Sequence, residues 1–166
     1  MCVRALVAII LACLAAVPAL AAGSVVYAGP SWAAIDRGSS CEALSRSLRI
    51  ATKGKVQANA GFAFTPDRRR WGEFHARLSR ITRPGSSVML QVGDLQVLLV
   101  SRGDWAWSRS PLQEQAIIAA ARSGSAMKVE GRDARGRRFV DPYSLDGAPT
   151  AIDAAAAACA GKTGRS

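Results

Sequence analysis

Alternating apolar and polar positions dominate the middle of the chain and predict antiparallel β-strands. Across residues 73–79, every apolar side chain falls on one face and every polar side chain, including His75, falls on the other. This period of two is typical of a strand that packs one face on a core and turns the other toward solvent. We therefore expect His75 to be exposed on the outer face of a strand.

The same alternation, interrupted by turn residues, predicts further strands on both sides of this one. Gly93-Asp94 and Arg102-Gly103 are typical of tight turns and predict a meander of three strands. The other predicted strands cover residues 24–32, a strand that carries Cys41, and residues 57–65, 86–92, 95–101, 104–109, 126–132 and 137–144. Trp105 and Trp107 share one face, which indicates packing on the strand surface, with ligand stacking as the alternative.

A helix is predicted over residues 110–124. Ser110 is a natural N-cap, Pro111 suits the first helical position, Gln113 completes a capping box and Gly124 ends the helix. One broad side of this helix is expected to be buried. Its predicted members are Leu112, Gln115, Ala116, Ala119, Ile117, Ile118 and Ala121.

A second helix is predicted to start at Pro149. Ile152, Ala155, Ala156 and Cys159 recur at the spacing i, i+3, i+4 and i+7, so they form one buried stripe. Small alanines allow close approach to a sheet. The pattern as a whole predicts a mainly β domain, an antiparallel β-sandwich or open barrel with two short α-helices.

The first 22 residues have the composition of a cleaved secretory signal peptide. Arg4 supplies one positive charge, residues 5–17 are apolar, and Pro18 is followed by small residues suited to cleavage. Lipidation at Cys13 is the alternative. The leader predicts a periplasmic or secreted protein with no transmembrane segment in its mature chain. The predicted organisation is a signal peptide at 1–22, a single β domain at 23–160 and a flexible tail at 161–166.

Cysteine parity predicts one disulfide. Removal of the leader leaves Cys41 and Cys159, and an even count in an oxidising compartment favours pairing. Two unpaired buried thiols are the alternative. Two cysteines and one histidine lack the ligand spacing of zinc sites, so we expect no metal and no cofactor.

The chain is strongly basic. Its formal net charge is +10, and loss of the leader with Arg4 leaves 10 − 1 = +9. Such a charge favours anionic partners. Outside the cytoplasm these are lipopolysaccharide, acidic glycans or anionic lipid headgroups rather than nucleic acid, and a protein partner is the alternative.

Clusters of arginine mark the candidate polyanion-binding residues, since the planar guanidinium suits phosphate and carboxylate. The first cluster follows Pro66 in a loop that is expected to be exposed. A solvated basic surface without a binding role is the alternative. The candidates are Arg68, Arg69, Arg70, Arg77, Arg80, Arg83, Arg135, Arg137 and Arg138.

The sequence contains no convincing catalytic motif. His75 is the sole histidine, no Gly-x-Ser-x-Gly elbow is present, and the carboxylates are few, with Asp141, Asp146 and Asp153 the closest grouping. We therefore expect a protein that is not an enzyme.

Several stretches, taken in order, resemble the invasion-associated locus B (IalB) family of secreted alphaproteobacterial proteins. They are Trp32, "CEALS" from Cys41, "PGSSVMLQVG", "GDWAW", "AIIAAARSGSAMKVEGRDARGRRFVDPYSL" and "AIDAAAAAC". The resemblance implies a small exported β domain with added helices and a disulfide, named for a role in host-cell invasion. This chain departs from many such proteins in lacking mid-chain cysteines and in carrying Ala148-Pro149 where Gly-Phe is common.

These observations predict an exported, non-enzymatic binding or envelope-associated protein. A module that inhibits a hydrolase such as lysozyme is one alternative, and an uncharacterised hydrolase is another. A rigid, protruding polar loop would favour the inhibitor. A pocket that gathers His75 with a serine and a carboxylate would favour the hydrolase.

Overall fold

The computed structural model describes residues 23–162. The predicted signal peptide and residues 163–166 of the predicted tail lie outside this range. Within it, the chain forms ten strands and two helices. They are β1 (Ser24–Ala28), β2 (Trp32–Asp36), β3 (Cys41–Arg46), β4 (Asn59–Phe64), β5 (Trp71–Arg77), β6 (Val88–Val92), β7 (Leu95–Arg102), β8 (Trp105–Trp107), α1 (Pro111–Ser123), β9 (Ala126–Arg132), β10 (Arg138–Ser144) and α2 (Ala148–Ala160).

All ten strands belong to one antiparallel sheet with the order β1-β2-β3-β4-β5-β8-β7-β6-β9-β10. The sheet consists of two half-sheets that follow one another in sequence, β1 to β5 and β6 to β10. They join through the short pairing of β5 with β8, which we call the seam. In the seam, residues 75–77 face residues 105–107.

The sheet curls so that its two ends approach each other. The Pro142 carbonyl on β10 accepts a hydrogen bond from the Leu48 amide at 2.8 Å, and the Trp32 indole donates to the Ser144 carbonyl at 2.8 Å. These bonds are made without a closing strand ladder. The predicted fold class is confirmed, as an open antiparallel sheet with two helices and one disulfide.

The last helix covers the concave side of the first half-sheet, and the predicted disulfide ties it there. Cys41 on β3 and Cys159 on α2 are bonded, with their Cα atoms 5.7 Å apart. Both are fully buried. The buried side of α2 is built largely from alanine, which lets the helix axis approach the sheet closely. Its members are Ala148, Ala151, Ile152, Ala155 and Cys159.

The first helix confirms the predicted cap but corrects the predicted buried side. Ser110 Oγ accepts from the Gln113 amide at 3.3 Å, while the Gln113 side chain accepts from the Arg109 amide at 2.7 Å. Leu112 is 78% exposed, whereas Ile117 and Ala121 are buried. The helix packs on the sheet through Ile117 and Ala121, and Gln113 on the same side donates to the Leu98 carbonyl of β7.

The predicted first strand proves to be two strands. The Gly29 amide donates to the Trp32 carbonyl at 2.8 Å and closes a tight turn between β1 and β2. Pro30 inside this turn has no amide hydrogen to offer a neighbouring strand. Gly-Pro is therefore the sequence feature that ends β1.

Candidate functional site

A groove of about 960 Å³ crosses the outer face of the sheet, on the side away from the helices. It runs over β2, β3, β4, β5 and β8. Strand register arranges the side chains of this face, some of which line the groove, in three rows perpendicular to the strands. Adjacent rows are two residues apart along each strand, a separation of about 7 Å.

The three rows differ in chemistry. The acidic row contains Glu42 and Glu73 on either side of Ala63. The middle row runs Leu44, Gly61, His75, Trp107. The basic row runs Arg46, Asn59, Arg77, Trp105.

The polar side chains of the basic row differ in whether they are paired with another of the described residues. Arg77 Nε donates to Asp104 Oδ2 at 3.2 Å, and its guanidinium lies 6.0 Å from the centre of the Trp105 ring. The side chains of Arg46 and Asn59 make no hydrogen bond or ion pair with residues 23–162. One free guanidinium and one free amide therefore stand side by side on neighbouring strands at the groove.

The structure corrects the expected exposure of His75, which is only 8% exposed. It lies on the predicted outer face, but its cross-strand partner Trp107 and the Trp105 ring, 6.3 Å from the imidazole, shield it. Burial lowers the pKa of His75, while the carboxylates of Glu42 and Glu73 oppose this effect. His75 is therefore a neutral imidazole near pH 7, with one nitrogen that donates and one that accepts.

The two tryptophans of β8 stack on each other, with ring centres 6.3 Å apart and planes inclined by 12°. This agrees with the interpretation of strand-face packing. Trp105 also lines the groove. It is half-buried, so part of its indole surface stays accessible to a ligand.

The predicted arginine clusters occupy three separate places. Arg68, Arg69 and Arg70 lie in the loop between β4 and β5, whereas Arg77 belongs to the groove. The others gather beyond the opposite end of β5, where the Arg83 amide donates to the Arg132 carbonyl at 3.1 Å. Strand β5 keeps the first group about 20 Å from the last. The candidates in that last group are Arg80, Arg83, Arg135, Arg137 and Arg138.

The loop that carries the first cluster, residues 65–70, is ordered by its own hydrogen bonds. Asp67 Oδ1 accepts from Thr65 Oγ1 at 2.6 Å and from the Arg69 amide at 3.1 Å. These bonds, the one from Thr65 above all, lower the pKa of Asp67. The Arg70 amide donates to Thr65 Oγ1 at 3.1 Å, which ties both ends of the loop together. We call this segment the arginine loop.

The three predicted aspartates do not form a site. Asp141 is fully buried in the core, where Oδ2 accepts from the Ser79 amide at 2.9 Å. Its other oxygen and the Tyr143 hydroxyl have no hydrogen-bond partner among residues 23–162. Burial raises the pKa of Asp141. Asp153 lies at the surface, paired with Arg122.

Among residues 23–162 we find neither a metal-binding cluster nor a serine hydrogen-bonded to the histidine ring. Within residues 23–162, no three histidine, cysteine or acidic side chains are grouped to hold a metal ion. Over the same range, no serine hydroxyl hydrogen-bonds to the ring of His75. None of the described helices is long and apolar enough to cross a membrane.

Neither a protein-family model nor a curated protein sequence matches this chain. A solved structure does, the crystal structure of invasion associated protein B from Bartonella henselae. The similarity covers 79% of this chain and 95% of that one, with a TM-score of 0.57 and 16% identical residues. This chain has the fold of invasion associated protein B.

The resemblance read from the sequence is thereby confirmed at the level of fold. At 16% identity the similarity carries nothing about ligand or partner.

Sequence reasoning missed Arg46 and Asn59 as site residues. They are 13 positions apart in sequence and become neighbours only through the pairing of β3 with β4. Each looks like an ordinary polar residue at a strand end. The alternation of β3 predicts the face of Arg46, but strand register alone brings Asn59, Arg77 and Trp105 beside it.

Proposed function

We propose that this protein is an exported, non-enzymatic binding module, envelope-associated or secreted, and that the groove is its binding face. The observation that carries the proposal is that Arg46 and Asn59, whose side chains have no polar partner among residues 23–162, share a row of the groove with the accessible ring of Trp105. Binding faces concentrate their affinity in a few aromatic and arginine side chains that are held in place by a rigid scaffold.

The rim of the groove supports the same proposal. Leu48 and Ile50 line it and are 61% and 74% exposed. Large apolar side chains that stay in water near a concave surface mark a face that a ligand or partner covers. The predicted leader, which would carry the chain out of the cytoplasm, supports the expected periplasmic or secreted location.

A photo-crosslinking residue at position 50 tests this proposal. Leu112 on α1 is 78% exposed and lies on the helix side of the sheet, so it supplies a matched control position. We expect adducts with envelope material to form from position 50 and to be several times rarer from position 112. Equal yields from the two positions, or a larger yield from position 112, would refute the groove as the binding face.

A second function, inhibition of a hydrolase by an inserted loop, is favoured by one observation. The arginine loop is exposed, polar and internally hydrogen-bonded, and rigid inhibitory loops bind with little loss of conformational freedom. Titration of lysozyme with the protein tests it, and Asp67→Ala should abolish inhibition because it releases the loop while keeping its arginines. Unchanged lysozyme activity at high inhibitor concentration would reject this candidate.

A further inference from the structure

We propose that the basic row of the groove binds the carboxylated sugars of an acidic polysaccharide. The inference rests on the proposed binding role of the groove and names its ligand class. Arg46, Asn59 and Trp105 are the recognition residues. Arg77 lies between Asn59 and Trp105 in the row and holds the Trp105 ring in position.

Arg46 and Asn59 match two different groups of a uronic acid. A free guanidinium donates two parallel hydrogen bonds to a planar carboxylate. The free amide of Asn59 both donates and accepts, as a sugar hydroxyl does. The two residues are direct cross-strand partners, so their backbones are about 5 Å apart. One pyranose ring can therefore contact both side chains.

Trp105 supplies a flat apolar surface at the end of the same row. A pyranose presents C–H groups on one face, and these pack on an indole ring. Arg77 lies over Trp105 and is held by Asp104, so it fixes the indole while contributing little free charge. The row thus offers a cation, a neutral amide and an aromatic face in that order.

The position of the row in the sheet argues against a peptide. Extended peptides are commonly bound by adding a strand to a free sheet edge. The basic row instead lies on β3, β4, β5 and β8, which are all interior strands. Its ligand must lie across the strands and contact side chains alone.

The polar groups of the basic row argue against a lipid at this row. An acyl chain there would strip water from the Asn59 amide and the Arg46 guanidinium without offering them hydrogen bonds, which is unfavourable. Sugar hydroxyls offer such bonds.

Titration with a trigalacturonate oligosaccharide, followed by NMR or calorimetry, tests the inference. We expect saturable binding that weakens with salt and chemical-shift changes at residues 46, 59 and 105. Arg46→Gln should weaken binding about tenfold, which corresponds to about 1.4 kcal/mol, because it removes the charge-assisted hydrogen bonds to the carboxylate. Asn59→Asp, nearly isosteric, should weaken it at least as much through repulsion of the carboxylate.

Arg122→Gln is the matched control variant. Arg122 is exposed on α1, on the helix side of the sheet, where it pairs with Asp153, so its replacement changes net charge equally without touching the groove. It should leave the affinity within about twofold, because an exposed charge beyond the roughly 8–10 Å screening length acts weakly. Circular dichroism of each variant checks that the fold is intact.

Three further probes separate the ligand classes. Neutral dextran oligosaccharides, polyglutamate and phosphatidylglycerol vesicles should each bind at least tenfold more weakly than trigalacturonate. Equal binding by any of them, or an Arg122→Gln effect as large as that of Arg46→Gln, would overturn the sugar assignment. Crosslinking from position 50 would then still report on the groove, so the two proposals fail independently.

Discussion

The guanidinium of Arg68 lies 4.4 Å from the centre of the Trp71 ring, while the backbone of Arg68 adopts a φ of 58°. A left-handed backbone costs a residue with a Cβ roughly 1–2 kcal/mol. An exposed cation–π contact returns about 0.5–1 kcal/mol. Glycine would adopt this conformation at no steric cost. Arginine at position 68 therefore makes the arginine loop less stable than glycine would.

Two substitutions at position 68 separate these effects. Arg68→Gly should be more stable than Arg68→Ala by about 1 kcal/mol, because both lose the ring contact but glycine alone relieves the backbone. Urea denaturation of the two variants measures the difference. Equal stabilities would contradict a strained Arg68.

The disulfide should dominate the stability of the fold. Replacing Cys41 and Cys159 together by alanine should lower the free energy of unfolding by about 4–5 kcal/mol, since the bond closes a loop of 118 residues. Chemical denaturation with and without reductant measures it. Reductant should destabilise the wild-type protein and leave the double variant unchanged. Free thiols in freshly purified oxidised protein would contradict the pairing.

His75 should make the fold less stable in mild acid. Its pKa lies below the ordinary value of 6.5 in the folded chain, so the unfolded chain takes up the proton first. Stability from this residue is complete above about pH 6.5 and falls as the pH drops below that value. His75→Gln should remove this component. We expect the wild-type protein to lose more stability than the variant between pH 7.5 and pH 5, and parallel curves would contradict the assignment.

Asp141 should show the opposite sign. Its pKa is raised in the folded chain by burial, so the charged form destabilises the fold at neutral pH. This penalty shrinks as the pH falls through the folded pKa and is gone below the unfolded pKa. Asp141→Asn keeps an acceptor for the Ser79 amide and should gain on the order of 1 kcal/mol at pH 7. Asp141→Ala leaves that amide unpaired and should lose about 1–3 kcal/mol. A stability advantage of the Asn variant that persists unchanged into acid would argue against this account.

The two distal arginine clusters should act independently if they contact an anionic surface. They are about 20 Å apart across β5, well beyond the screening length of roughly 8–10 Å at physiological salt. Serine replacements at Arg68, Arg69 and Arg70, and separately at Arg135, Arg137 and Arg138, should each weaken binding to phosphatidylglycerol vesicles. The combined variant should show the sum of the two changes in binding free energy. If neither salt nor any of these substitutions changes vesicle binding, both clusters are solvated surface without a binding role.

Local patterns in the sequence predicted the elements well where neighbouring residues determine them. Alternation located the strands of the meander, Ser110 and Pro111 marked the start of α1, and the stripe through Ile152 and Cys159 predicted the buried side of α2. Each of these features depends on residues within two turns or one strand. Cysteine parity added one contact between distant positions.

The errors arose where distant strands decide the outcome. Alternation placed His75 on the correct face but could not show that Trp105 and Trp107, 30 residues later, would cover it. Leu112 is exposed because α1 turns Ile117 and Ala121 toward the sheet, and helical periodicity alone does not decide between the two apolar sides. The groove likewise requires the register of β3, β4, β5 and β8, which one sequence does not provide.

The order of the strands has a consequence for how the chain is made. Strands β1 to β5 emerge first and present the aromatic rings of Trp32, Phe62 and Phe74, yet the helix that covers much of this half-sheet is α2. Until residues 148–160 are synthesised, the growing chain carries a bare apolar face and an unpaired Cys41 thiol. Such a nascent chain completes its hydrophobic core late and all at once. The yield of folded protein should therefore depend on chaperones that keep unfinished chains from aggregating.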